Sequence, residues 1–244
     1  MTGTATHRPR RGLILLGVLA LAGVAVLTSL GVWQVERLFW KLDLIQRVEE
    51  RAQAAPVPAP GPEDWPAVTA ASQEYRRVGV TGRFLNDRET LVQAVTERGG
   101  GFWVLTPFRT DRGFTVLVNR GFVPPERRST DSRPDGLIDA DTTVTGLLRV
   151  TEPGGGFLRS NDPAQDRWYS RDVAAIAAAR GLTETAPYFI DAEASPQGGY
   201  PVGGLTVLKF PNNHLVYALT WFALDLMLIA AAFYVARNEW RRRG

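Results

Sequence analysis

The chain has 244 residues, 45% of them apolar, a length that allows one or two domains and a sizeable core. It has no Cys, two His and two Met, which excludes a disulfide frame, thiolate zinc, Cys-x-x-Cys redox or copper-relay chemistry, covalently attached haem and a Met-rich copper carrier. With 28 Lys and Arg against 25 Asp and Glu the net charge is +3, and where that excess sits decides whether nucleic acid is a partner.

Residues 1–11 form a basic tail carrying Arg8, Arg10 and Arg11. From Gly12 to Val32 there are 21 residues without an ionisable side chain, roughly 30 Å of helix and enough to cross a bilayer. This apolar run exceeds the roughly 7–15 residues of a signal-peptide core and no small-x-small site precedes Trp33, so residues 12–32 read as an uncleaved transmembrane helix. The helical pattern continues through 33–53, with Leu38, Leu42, Ile45 and Val48 on one side and the Asp43–Arg47 pair on the other. Residues 54–66, opening Ala54-Ala-Pro-Val-Pro-Ala-Pro-Gly-Pro62, read as an extended Pro-rich linker.

Beyond the linker, Val-, Thr- and aromatic-rich runs predict strands at Tyr75–Phe84, Glu89–Val95, Phe102–Arg109, Phe114–Asn119, Thr143–Val150, Tyr188–Asp191 and Leu205–Phe210. Asp111-Arg112-Gly113 marks a hairpin, and one helix is expected over Ser170–Arg180 with Gly181 as its C-cap. Residues 214–235 form a second apolar stretch broken only by Asp225, followed by a basic tail, 236–244, with Arg237, Arg241, Arg242, Arg243 and a single Glu239. The fold class that follows is an α+β membrane protein: two transmembrane helices flank a mostly antiparallel β barrel or sandwich, residues 33–213.

The two tails hold seven basic residues and one acid, leaving 21 basic and 24 acidic residues in everything between. By the positive-inside rule both termini are cytoplasmic and the central domain lies across the membrane, which in a bacterium is the periplasmic face of the inner membrane. The basic excess flanks membrane spans rather than coating a folded domain, so nucleic acid drops out as a partner and membrane lipid replaces it. Trp33, Trp40, Tyr217, Trp221, Tyr234 and Trp240 sit where interfacial rings collect, as they do in most membrane proteins. No Rossmann fingerprint, P-loop, zincin or nucleophile-elbow motif is present, and the glycine triplets read as loops. The sequence thus gives little for an enzyme.

His214 is the one histidine outside the N-terminal tail. At about 100° per residue, His214, Tyr217, Trp221 and Asp225 share a helix face about 80° wide. Such a stripe suits a flat, apolar, metal-containing ligand such as haem, with imidazole as axial ligand and rings against the macrocycle. It equally suits packing on the first span, with His214 bonded to an interfacial backbone group. Asp225, roughly 15 Å into the second span, costs on the order of 2.5–3.5 kcal/mol in a bilayer and calls for a partner such as Ser29, Thr28 or a group on another protein. Arg37, Arg120, Arg159, Arg167 and Arg171 are candidates for binding carboxylates, or for ordinary ion pairs with the abundant acids.

Taken together, Gly31-Val-Trp-Gln-Val-Glu-Arg37, Trp40-Lys-Leu-Asp-Leu-Ile45, Tyr75-Arg-Arg-Val-Gly-Val-Thr-Gly-Arg-Phe84, Val118-Asn-Arg-Gly-Phe-Val-Pro124, Trp168-Tyr-Ser-Arg-Asp172, Pro187-Tyr-Phe-Ile-Asp191 and Asn212-Asn-His-Leu-Val-Tyr-Ala-Leu-Thr-Trp-Phe222 resemble the Surfeit locus protein 1 family, in order, from Gly31 to Phe222. The resemblance implies an assembly factor for the aa3-type haem-copper cytochrome c oxidase that binds haem a and helps deliver it to subunit I. Implied partners are subunit I and haem a synthase. It favours His214 as the haem iron ligand; the helix stripe, the interfacial aromatics and the arginines read above add Tyr217, Trp221, Trp33 and Arg37 as candidate cofactor-binding residues. A scaffold that stabilises subunit I without touching haem is the alternative. Asp225 departs from the family, whose members usually carry apolar residues that deep in the second span, so no role transfers to it.

Overall fold

A computed structural model describes residues 10–194, 199–208 and 210–242. Most of the N-terminal tail, and Arg243 in the C-terminal one, lie outside the described residues. The chain forms two compact units, a helical one (residues 1–46 and 209–244) and a β domain (residues 47–208).

The helical unit takes in most of α1 (Arg10–Gln53). In the β domain, β1 (Val57–Pro58) opens the Pro-rich segment, which runs extended but is packed rather than free: Ala59, Pro60 and Gly61 are buried. A one-turn helix, α2 (Ala70–Gln73), is capped by Thr69 through a capping box with Ser72. There follow β2 (Arg77–Phe84), β3 (Thr90–Thr96), β4 (Gly99–Thr110), β5 (Thr115–Val123) and β6 (Thr142–Val150). A small hairpin, β7 (Gly155–Gly156) and β8 (Arg159–Ser160), precedes α3 (Val173–Ala179) and β9 (Thr185–Ala192). The last element is α4 (His214–Arg241), which completes the helical unit. Both α1 and α4 are long and apolar enough to cross a membrane.

The main sheet runs β1-β2-β6-β9-β5-β4-β3, and β4 turns back to pair with β2 through Gly82–Thr110, Arg83–Arg109 and Phe84–Phe108. That last pairing closes a five-stranded barrel, with β1 and β3 attached outside the ring. Pairing is antiparallel except β1–β2 and β5–β9. Alternate residues fill the barrel: Val78, Val80 and Phe84 from β2, Val116 and Val118 from β5, Val144 and Leu148 from β6, Tyr188 and Ile190 from β9. The opposite faces of β4, β5 and β9 carry Leu105, Leu117 and Phe189, which pack under Trp168 and the Val173–Ile176 side of α3. With both faces covered, β5 is buried at every position.

The expected helix at Ser170–Arg180 is α3, three residues shorter at its start because Asp172 acts as the N-cap, its side chain accepting from the Ala175 amide. The expected strand Leu205–Phe210 is corrected: 205–208 form no strand, and Lys209 lies outside the described residues. Side-chain bonding ties this segment to the barrel instead, Thr206 Oγ1 donating to Asp191 Oδ2 at 3.0 Å. Just before it, the Gly204 amide donates to the Ala192 carbonyl at 3.0 Å and Val202 makes an isolated bridge with Phe122. Gly121 permits this approach: at φ 125° its missing Cβ leaves room for the Val202 carbonyl.

Candidate functional site

Two polar groupings stand out, one in each unit. In the helical unit, α1 turns Gly31 and Gln34 toward α4, and both are buried. A Cβ on Gly31 would come within 2.5 Å of the Phe222 ring, so this glycine sets how closely the helices meet. One turn further along α1, Gln34 Oε1 stands 2.7 Å from His214 Nδ1. Asn212 Oδ1 accepts from the His214 amide at 3.4 Å at the start of α4. His214 is half-buried, and among the described residues its Nε2 makes no hydrogen bond.

Further along α4, Ala218 and Asp225 are buried and Trp221 is half-buried, whereas Tyr217 is 54% exposed. The stripe thus splits: His214, Trp221 and Asp225 turn inward and Tyr217 stands at its exposed edge. Thr28 Oγ1 donates to Asp225 Oδ2 at 2.6 Å, the partner that the sequence reading sought. Asp225 Oδ1 is buried with no hydrogen-bond partner among the described residues. On α1, Trp33 is 51% exposed, and the Arg37 guanidinium lies 4.0 Å over the Trp40 ring, a cation–π contact.

In the β domain, Asp191 near the end of β9 is 5% exposed and gathers polar residues from four separate sequence segments. Asn119 Nδ2 donates to Oδ1 at 2.7 Å and Arg171 Nη1 to the same oxygen at 3.2 Å. Arg149 Nη1 donates to Oδ2 at 2.9 Å and Thr206 Oγ1 at 3.0 Å. Arg171 also forks onto Glu152, and Arg149 Nε donates to Glu74 Oε1 at 2.7 Å. Burial opposes the charge on Arg149, but Asp191 and Glu74 together hold its pKa above the ordinary arginine value. Burial likewise opposes ionisation of Glu152, yet the hydrogen bond and charge of Arg171, with Arg149 behind, keep its pKa below 4.5. Beside this network lies a cavity of about 190 Å³ lined by Trp103, Asn119, Arg171, Asp191 and Leu205–Val207.

The other candidate arginines are engaged. Arg120 is buried, donates to the Gly136 carbonyl and lies 4.5 Å over Phe84; burial brings its pKa down to about 10. Arg167 pairs with Asp162 at 3.0 Å, and Arg159 donates to Gln93 Oε1 at 3.0 Å while covering Tyr169. Among the described residues no three His, Asp or Glu converge as a metal-binding group. Sequence periodicity does not single out Gln34. Its signal is position: a polar side chain one turn after an inward glycine, at the end of an apolar run. The Asp191 network is equally silent in the sequence, since its partners lie 15 to 72 residues away.

Comparison with known proteins agrees with the sequence reading. The SURF1 family model matches residues 21–226. Human Surfeit locus protein 1 is 39% identical over 215 residues, covering 81% of this chain and 69% of the human one. The rat protein of the same name is 36% identical over 232 residues, covering 88% and 72%. A SURF1-like protein of Monosiga brevicollis is 36% identical over 241 residues, covering 92% and 89%. The chain belongs to the SURF1 family.

Proposed function

We propose that this protein is a non-enzymatic assembly factor for the aa3-type cytochrome c oxidase, that it binds haem a and that it assists delivery of the haem to subunit I, with haem a synthase as a second partner. Membership of the family supports the oxidase role. The observation that carries the haem reading is His214: a half-buried imidazole with one nitrogen tied to Gln34 and the other making no hydrogen bond among the described residues. When bound, haem would supply an iron that takes an imidazole nitrogen. His214 would hold the iron, Trp33, Tyr217 and Trp221 would offer aromatic faces, and Arg37 would offer a cation for a propionate.

The helices and the charge pattern support a placement in the bacterial cytoplasmic membrane, with two spans, cytoplasmic termini and the β domain outside. An imidazole at the start of a span serves a cofactor whose isoprenoid tail prefers lipid and whose propionates prefer water. The test is purification of the full chain in mild detergent from a host that makes haem a. Haem a should travel with the chain and be lost to apo subunit I on mixing, because ligation is tighter there. Protein that arrives free of haem yet co-purifies with subunit I from a strain unable to make haem a would overturn the haem step and leave a scaffold.

A further inference from the structure

We infer that Gln34 is the positioning residue for His214: it holds the imidazole in the Nδ1–H tautomer, so that Nε2 presents its lone pair. A neutral imidazole has one N–H donor and one acceptor nitrogen, and the hydrogen bond made by one nitrogen decides the state of the other. The atom 2.7 Å from Nδ1 is the amide oxygen of Gln34, which only accepts. In the neutral ring this contact puts the proton on Nδ1 and the lone pair on Nε2. Gln34 is 8% exposed, and a buried amide costs stability unless it is hydrogen-bonded, so an apolar side chain would sit there more cheaply. What the amide contributes is the orientation and proton state of a ring 180 residues away. The close approach at Gly31, one turn earlier on α1, and the Asn212 bond to the His214 amide hold both partners in place.

The consequence for iron rests on the proposed haem reading, since a ligand nitrogen must be unprotonated and its orienting partner raises its basicity. The tautomer itself does not depend on haem. The experiment uses the full chain in nanodiscs, haem-free and labelled with ¹⁵N-histidine, in a His7→Gln background that leaves His214 as the single reporter. A long-range ¹H–¹⁵N spectrum of the neutral ring should show Nδ1 protonated and Nε2 unprotonated. Gln34→Met, of similar length but without the acceptor, should move the ring to a mixture or to the Nε2–H form, and Gln34→Glu should restore the original pattern. On titration with haem a, Gln34→Met should bind about 10–100-fold more weakly than the parent and Gln34→Glu should recover.

A parent spectrum with the proton on Nε2, or a folded Gln34→Met with an unchanged tautomer, overturns the inference even if haem a binds. The expected tautomer with no response of His214 to haem a supports the inference and overturns the haem reading instead.

Discussion

Asp191 accepts from Asn119, Arg149, Arg171 and Thr206 in a nearly closed environment. A carboxylate so placed is costly to remove, because two largely buried guanidinium groups then lose a shared counter-charge. Asp191→Asn, which keeps the shape, is expected to cost about 3–5 kcal/mol in denaturant unfolding; a loss inside the scatter of surface variants would contradict that. Glu152 gives a pH test. Its native pKa lies below the ordinary 4.5, so the folded chain takes up that proton later than the unfolded one. Its stabilising share is therefore present above pH 4.5 and drains as the pH falls through the lower native value. Unfolding curves of the parent and of Glu152→Gln should separate most near neutrality and converge in acid; parallel curves throughout would count against the Arg171–Glu152 fork. None of this was readable in the sequence, because alternation says which face a residue takes and nothing about which distant arginine meets it. His214 was readable by scarcity, and its partner Gln34 was not.

At the scale of elements, local pattern and global closure had different visibility. The strands that fill the barrel announce themselves by period two: Val78 and Val80, Val116 and Val118, Tyr188 and Ile190 all point inward. The Ala-rich α3 was equally plain, bounded by Asp172 and Gly181. Closure was not, since it depends on β4 being long enough to pair with β2 as well as β3 and β5. Nor does the alternation at 205–208 reveal that the segment forms no strand. Gly121 is where closure meets the chain that follows β9. A side chain there would be strained at φ 125° and would collide with Val202, so Gly121→Ala should cost about 1–3 kcal/mol. It should also speed hydrogen exchange at the Phe122 and Val202 amides, which bond each other's carbonyls at 2.9 Å. Exchange that stays at the parent rate would show that the bridge does not depend on the glycine.

For the whole molecule, the absence of cysteine becomes a tool. Phe157, at the tip of the β7–β8 hairpin, is 92% exposed, and Trp240, near the end of α4, is 80% exposed. On the proposed topology, Phe157→Cys in whole cells should react with a membrane-impermeant maleimide from outside. Trp240→Cys should react only after the membrane is opened. The reverse pattern would contradict the topology argued from the tails. The +3 net charge sits on the two tails, since the chain between them is net acidic.

The central claim is that the chain carries haem a on His214, and the absorption spectrum of the detergent-purified protein tests it most directly. Expressed in a host that makes haem a, the parent should show a haem a Soret and α band at about one haem per chain, and His214→Ala should lose or shift both. A His214→Ala protein that retains haem a with an unchanged spectrum would contradict the assignment.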